Sequence, residues 1–564
     1  MVFQPDDLHR AIDHIASRKL FPNLTVLLRL RGPMTPPRTD VGNRVRRALT
    51  RMARRQALGS EISEQTRPED LTRAAHAYLG EAPIVIASNR EPYQHVNTPS
   101  GIEVIRSPGG LASALDSVAR ATGATWVAQG AADADRQVVD ALGRVRVPPG
   151  DERYTLQRLW LEPDLRALEY RRFCNGCLWP LCHIVYVRPH FVAARWRAYQ
   201  EVNEQFAEAI LEALGPRPGL VLLQDYHLGL CASALRARRP DLSIVMFWHI
   251  PWPNREVYRT FPWRRELLEG LLACDLVGFH IQYHAINFLD TVAQELESHI
   301  DHERFAIRRR GRRTFVRSYP ISPDAAEISL AASEPWATRA AAEIRESLGL
   351  EGRKVVLGVD RLDYTKGIPE RLAAYELLLE TRPELRGSVS FVQIAVPSRV
   401  DLPEYQALSD LVEELAARLN RRFGEPGRPA IHLILRNLGF RDLIPHYVLA
   451  DVAVVSALHD GMNLVAKEYV AAKVNLDGAL VLSPFTGAAR ELDQAIQASP
   501  YDTEALAAAI GRALTLAPEE RSRRMKALRE VVAGQNIYDW AIKILRDTRR
   551  LHLVPGTTRP GSPR

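Results

Sequence analysis

No apolar run in this 564-residue chain approaches the ~20 residues that a membrane-spanning helix needs, so no membrane span is expected. The N-terminal stretch MVFQPDDLHRAID has no basic segment followed by an apolar one. That argues against a secretory signal and for a cytoplasmic protein. Cysteine is scarce: five residues in so long a chain do not make a disulfide framework. No recognisable nucleic-acid module and no interleaving of aromatic with basic residues is found, so the net charge of +7 is not read as nucleic-acid binding. An anionic small substrate would exploit the same positive potential. The full G-x-G-x-x-G spacing of a dinucleotide loop is missing, and so is any internal repeat of about 20–50 residues.

What is present is the composition of a globular protein, 46% hydrophobic and 25% charged. The length exceeds one ordinary core, so two domains with appendages are expected. Residues 1–80 stand apart. DLHRAIDHIASRKLF and RVRRALTRMARRQAL have helical periodicity and are separated by GPMTPP. The second carries Arg44, Arg46, Arg47, Arg51, Arg54 and Arg55 and reads as a solvated helical extension in preference to a basic arm for a partner.

From residue 83 apolar runs alternate with helical patterns: PIVIASNR, TWVAQG, GLVLLQDYH, SIVMFWHIPWP and DLVGFH, ending near the breaker YPISPDAAE. A second cycle contains KVVLGVDRLDYTKG, SVSFVQIAVPSR, IHLILRNLGF, DVAVVSALHDG and GALVLSPFTGAAREL. The expected fold is α/β, with two Rossmann-like domains, 81–325 and 326–545, facing across a cleft. A flexible tail, 546–564, follows.

The stretch 451–473 holds the most chemistry. DVAVVSA reads as a buried strand, and a helix starts near Asn463 with Leu464, Val465, Tyr469 and Val470 at helical spacing. Between them His459-Asp460-Gly461-Met462 forms the turn where open sheets bind ligands. Asp460 could accept sugar hydroxyls there or merely cap the helix. Glu468, about two turns on, could reach a ribose diol. Gly109-Gly110 opens a helix and would let a phosphate approach the backbone. Arg361 and Lys366 follow a strand and suit a diphosphate, one as a fork and one as a point charge.

These segments resemble the trehalose-6-phosphate synthase family of retaining GT-B glycosyltransferases, family 20. The motifs SNR at 88–90, GG at 109–110, NGCLWP at 175–180, DYHL at 225–228, HIPWP at 249–253, RLDYTKG at 361–367, SR at 398–399 and DGMNLVAKEYVAAK at 460–473 occur in the family's order. The resemblance covers about residues 83–530. It implies a donor site of Gly109, Gly110, Asp460, Gly461, Met462, Asn463, Leu464, Val465 and Glu468. It implies Arg361 and Lys366 on the donor diphosphate, His249 near the reacting centre and Asp225 on acceptor hydroxyls. Arg90, Tyr170 and Arg399 would grip an acceptor phosphate, with Trp179 beside the acceptor ring.

The implied reaction is front-face transfer of glucose from a nucleoside-diphosphate-glucose, UDP-glucose first among them, to glucose 6-phosphate. No metal and no other cofactor is required. Gln129 departs from the pattern, standing in Trp126-Val127-Ala128-Gln129 where the family usually has a second Trp. The opening SNREPYQHV and LLACDLVGFH look closer to the related glucosylglycerol-phosphate synthases. The alternatives are therefore the same donor with another phosphorylated acceptor, or a catalytically silent sugar-phosphate-binding regulator. Cys174, Cys177, Cys182 and His183 superficially resemble a zinc set, but they overlap NGCLWP and read as buried small thiols. The nucleotide base and the oligomeric state are left open, a homo-oligomer among the options.

Overall fold

Unbroken apolar runs need cover on both faces, and here they receive it as parallel strands. Leu220–Gln224 and Ser243–Phe247 are buried at every residue. In the computed structural model, which describes residues 66–106, 110–399 and 402–551, they lie inside a ten-stranded sheet. Its seven central strands run parallel in the order Arg312–Ser318, Leu276–Phe279, Ser243–Phe247, Leu220–Gln224, Ile84–Arg90, Thr125–Gln129, Tyr154–Leu159. Antiparallel strands close both edges, Arg144–Val147 on one side and Ala306–Arg309 with His299–Asp301 on the other. The second sheet is parallel throughout: Ile431–Ile434, Val389–Val396, Lys354–Arg361, Val452–Val455, Ala479–Leu482, Ile496–Gln497. Among the described residues no helix is long and apolar enough to cross a membrane.

The two Rossmann-like layers share apolar packing. One core runs from Ile86 and Trp126 through Tyr319 to Val355 and Tyr469. The connector is also tied by a buried cation. Lys467 donates to the Ile321 carbonyl and to Ser322 Oγ, both at 2.8 Å, and pairs with Glu491 at 2.6 Å. The last helix, Ile537–Arg550, returns to the first domain. Its Trp540 ring packs edge-on to Phe247 at 5.0 Å, and Asp547 accepts from Tyr319 Oη at 2.9 Å.

Three features were not expected from periodicity. A two-stranded ribbon, Tyr93–Thr98 with Gly101–Arg106, stands between the first strand and the glycine loop. The stretch Ala167–Leu178 is a 12-residue π-helix, a geometry that concentrates at functional sites. The helix Pro68–Leu79 buries Leu71, Ala75 and Leu79 as one face, and Arg549 of the last helix bonds the Ala77 carbonyl. Asn536, the cap of that last helix, donates to the Thr66 carbonyl at 2.7 Å. The expected basic helices before residue 66 and Gly109 lie outside the described residues; of the tail expected over 546–564, residues 546–550 belong to the last helix, and residues from 552 lie outside the described ones.

Candidate active site

The carboxyl ends of the parallel strands in the two sheets carry the polar residues, as open α/β sheets generally arrange it. On the first sheet Leu220–Gln224 ends at Asp225, whose φ of 71° and ψ of 170° fall in a region that side chains avoid. Such a residue costs about 1–3 kcal/mol and persists only where its surroundings fix it. Here the Asp225 carboxylate accepts the Tyr226 N–H at 2.9 Å and the His249 N–H at 3.1 Å. Burial outweighs these bonds and pushes its pKa up to about 7. His249 follows the next strand. Burial and the neighbouring His280 and His227 hold its ring well below the usual histidine range, so it is neutral. Its Nε2–H donates to the Gln224 amide oxygen at 2.9 Å, which leaves Nδ1 as an acceptor.

A cationic group stands beside them. Arg90, at the end of Ile84–Arg90, donates to the Tyr170 hydroxyl from Nη2 at 2.5 Å and from Nε at 3.2 Å. Tyr170 projects from the π-helix and stacks on His227 at 5.6 Å. Burial raises the Tyr170 pKa, but Arg90, Arg399 and Arg361 together bring it below its ordinary value. The same three arginines, after burial, keep His227 neutral. Arg361 and Arg399 both lie over the Trp179 ring, at 5.3 and 4.3 Å. Arg399 holds a left-handed backbone, φ 55°, and bonds Asp363 at 2.8 Å and the Tyr405 hydroxyl. Gln129 is buried at the end of its strand, in register with Arg90.

The second cluster lies in the turn after Val452–Val455. Lys366 donates to Asp460 Oδ2, and Asn463 Nδ2 reaches the same oxygen at 3.2 Å. Although burial works against it, Lys366 keeps the Asp460 carboxyl below its usual range. The helix Leu464–Ala472 is capped by Asn463, whose Oδ1 accepts from Ala466 N at 3.1 Å. Asp460 is thus an ion-pair partner and not the helix cap. Met462 is buried, while Leu464 and Val465 are half-buried on the first helical turn. Glu468 accepts from the Tyr447 hydroxyl at 2.8 Å, and burial raises its pKa.

Two glycines let the clusters meet. A Cβ on Gly110 would lie 2.8 Å from Leu464 Cδ1 and 3.1 Å from Glu468 Oε1. A Cβ on Gly461 would lie 2.1 Å from the carbonyl oxygen of His249, which follows a strand of the first sheet. Trp179 Nε1 also crosses between sheets, donating to Asp363 at 3.3 Å, as does His459 Nδ1, donating to the His183 carbonyl at 2.7 Å.

Of the residues singled out from sequence, Arg90, Tyr170, Trp179, Arg361 and Arg399 come together in one group, and Lys366, Asp460 and Asn463 in another. Asp225 and His249 adjoin each other through the Asp225 carboxylate. Gly109 lies outside the described residues. Sequence reasoning missed Asp363, His227, Gln224 and Tyr405. Asp363 sits inside RLDYTKG and His227 inside DYHL, so the motif was the available signal. Cys174, Cys177 and Cys182 are buried free thiols; Cys174 donates to Glu169 at 2.9 Å and Cys177 to the His190 carbonyl at 2.6 Å. Among the described residues no three His, Cys, Asp or Glu side chains are grouped to hold a metal ion.

Known proteins give the arrangement its context. Residues 82–550 match the family described as Glycosyltransferase family 20. A trehalose-6-phosphate synthase of Mycolicibacterium vanbaalenii is 42% identical over 478 residues, covering 83% of this chain and 96% of the relative. One from Mycobacterium leprae is 41% identical, covering 83% and 95%. Among solved structures, a trehalose-6-phosphate protein from E. coli bound with UDP-2-fluoro glucose superposes with a TM-score of 0.73 at 31% identity, covering 83% of this chain and 99% of that one. A Burkholderia xenovorans α,α-trehalose-phosphate synthase in complex with glucose-6-phosphate gives 0.74 at 32%, covering 82% and 99%. A match of this extent, on a two-sheet fold with its polar groups at facing strand ends, means that the chain belongs to glycosyltransferase family 20 and is a glycosyltransferase of the GT-B fold.

Proposed function

We propose that this protein moves glucose from a nucleoside-diphosphate-glucose, UDP-glucose by preference, to glucose 6-phosphate with retention, giving α,α-trehalose 6-phosphate. The observation that carries the reading is the convergence of Arg90 and Tyr170 from the first sheet's domain with Arg361 and Arg399 from the second, with Asp363 as the carboxylate among them. Leaving guanidiniums in excess over carboxylates is unfavourable unless dianions fill the space. The names of the relatives, and the two ligands in the solved structures, support the same reading.

Each residue then has a task. Arg361 and Lys366 hold the donor diphosphate, and the Gly110 backbone approaches it. Glu468 takes the ribose hydroxyls. Asp460, Gly461, Met462 and Asn463 hold the hexose, with Leu464 and Val465 lining the helix start. Lys366 already pairs with Asp460, so the hexose and the diphosphate meet one preformed ion pair. Arg90, Tyr170 and Arg399 take the acceptor phosphate, and Trp179 walls the acceptor ring. Asp225, ionised above about pH 7, accepts acceptor hydroxyls.

In the transfer, the bond from glucose C1 to the diphosphate oxygen breaks, and the electron pair leaves with the diphosphate. The acceptor hydroxyl oxygen bonds C1 from the same face. Its proton passes to the departing phosphate oxygen. No carboxylate serves as nucleophile, which sets the reaction apart from a retaining glycosidase. The chain supplies positioning and cationic stabilisation, the task that Mg²⁺ has in other transferases, so we propose turnover without a metal.

Gln129 favours a second reading, glycerol 3-phosphate as acceptor on the same donor chemistry, because a buried amide replaces an aromatic wall. The deciding experiment incubates UDP-, ADP- and GDP-glucose with glucose, glucose 6-phosphate and glycerol 3-phosphate at equal concentration and weighs the products by mass spectrometry. A phosphorylated disaccharide from UDP-glucose and glucose 6-phosphate is the expected product. Equal use of unphosphorylated glucose would overturn the acceptor assignment.

A further inference from the structure

Asp363 is buried beneath both halves of the proposed site and has no role in either. Its side chain is 0% exposed. Oδ1 accepts from Thr365 N at 3.0 Å, Thr365 Oγ1 at 2.9 Å and Trp179 Nε1 at 3.3 Å. Oδ2 accepts from Arg399 Nη1 at 2.8 Å and the Tyr405 hydroxyl at 3.4 Å, and lies 4.0 Å from Arg361 Nη2. A carboxylate has about four lone-pair sites, so nothing remains for a substrate hydroxyl. Burial would raise its pKa, but Arg399 and Arg361 hold it well below the usual range, and it stays ionised.

These contacts join parts that are remote in sequence. Arg361 ends the strand Lys354–Arg361, and Arg399 follows the neighbouring strand Val389–Val396. Trp179 comes from the other sheet's domain and lies beneath both guanidiniums. Two like charges over one ring repel, and a fixed anion between them both removes the repulsion and sets the spacing.

We propose that Asp363 is a positioning residue that fixes the distance between the cation for the leaving diphosphate and the cation for the acceptor phosphate, so that one substrate is held in register with the other. The proposal rests on the reading of the two phosphate subsites above. Asp363→Asn tests it with little change of shape. The amide oxygen can keep the Thr365 and Trp179 bonds, while the amide NH₂ turns a donor toward Arg399. Tyr405→Phe is the milder companion, removing one hydroxyl that touches both Arg399 and Asp363.

The measurements are kcat, both KM values, and calorimetric binding of UDP alone and of glucose 6-phosphate and glycerol 3-phosphate alone. Asp363→Asn is expected to raise acceptor KM about tenfold, the worth of a charge-assisted bond, and to lower kcat by a similar factor. UDP affinity should fall less, because Arg361 is the more distant partner. Tyr405→Phe should raise acceptor KM by a smaller factor and leave UDP binding unchanged. A lowered Tm with kcat and both KM values unchanged would make Asp363 structural only and overturn the proposal. If Asp363→Asn does not fold, an unchanged acceptor KM in Tyr405→Phe overturns it equally. If the wild-type protein binds neither phosphorylated acceptor, the acceptor reading itself falls, a result separable from any behaviour of the variants.

Discussion

Replacing Gly461 by alanine adds one methyl group where the turn after Val452–Val455 abuts the His249 backbone of the first sheet's domain, beside the proposed reacting groups. The backbone of Gly461 lies outside the left-handed region, so alanine adopts it without strain of its own. The obstacle is the partner. The new Cβ would stand 2.1 Å from the His249 carbonyl oxygen, and atoms of this kind essentially never approach within 3.0 Å, so about 0.9 Å must be recovered by displacement. The contact is backbone against backbone, and neither side is the free end of a side chain that can swing aside. His280 Cδ2, at 3.3 Å, blocks another direction. Overpacking of this kind costs about 1–3 kcal/mol of stability. A displacement of roughly 1 Å between reacting groups costs about 100-fold in rate. Gly461→Ala is therefore expected to fold, to melt a few degrees lower, and to lose about two orders of magnitude in kcat. UDP binding should stay within a few-fold, because Arg361 and Lys366 lie on the same sheet as the substitution. Steady-state kinetics with UDP-glucose and glucose 6-phosphate, with calorimetry for UDP, decide the matter. A variant with kcat within about threefold of wild type would show that the His249 side and the Asp460 side need not be held at this separation, and the reasoning would fail.

Arg361→Ala and Lys366→Ala should each cut turnover about 100-fold or more while the fold survives, since the proposed function places both charges on the leaving diphosphate; near-normal kcat in either would place the diphosphate elsewhere. Asp225 has a folded pKa of about 7, above its ordinary 3.8, so acceptor KM should fall as pH rises through about 7, and Asp225→Asn should flatten that dependence. With the sign taken through to stability, this group favours the folded state at low pH and loses that contribution between about 3.8 and 7, which the pH dependence of Tm in wild type and Asp225→Asn will show. Removing residues 1–65 should leave the transfer reaction intact. Removing residues 1–80 should lower Tm, because it strips Leu71, Ala75 and Leu79 from the last helix; equal melting of the two truncations would refute that.

The sheets were legible because parallel strands covered on both faces must read as unbroken apolar runs. LVLLQ and SIVMF could hardly be anything else. The edges were not legible. Arg144–Val147 and His299–Asp301, the outermost strands, are short and polar because an edge strand faces water, and no apolar run survives to mark them. The π-helix Ala167–Leu178 has no period that sequence patterns look for. The helical extension shows the same limit: Leu71, Ala75 and Leu79 are a stripe that declares a buried face without naming its partner, the last helix Ile537–Arg550.

The site divides along the same line. Residues with a proposed role of their own stood out in sequence: Arg361 and Lys366 after a strand and Asp460 in a turn, with Arg90 reached through the resemblance of its SNR motif. Residues whose role is relational did not. Nothing in RLDYTKG says that Asp363 bonds Trp179, 184 residues earlier, or that Arg399 shares that ring. Nothing in HDGM says that Gly461 is small because His249, in the other sheet's domain, lies where a Cβ would be. Both facts are distances between strand ends that belong to different sheets, and they exist only once the sheets are closed on each other. A two-substrate site therefore carries its ligand-binding chemistry in local motifs and its registration in contacts between them. The variants that separate these are the ones at Asp363 and Gly461, where the cations and carboxylates that would meet substrate are left untouched and only their spacing changes.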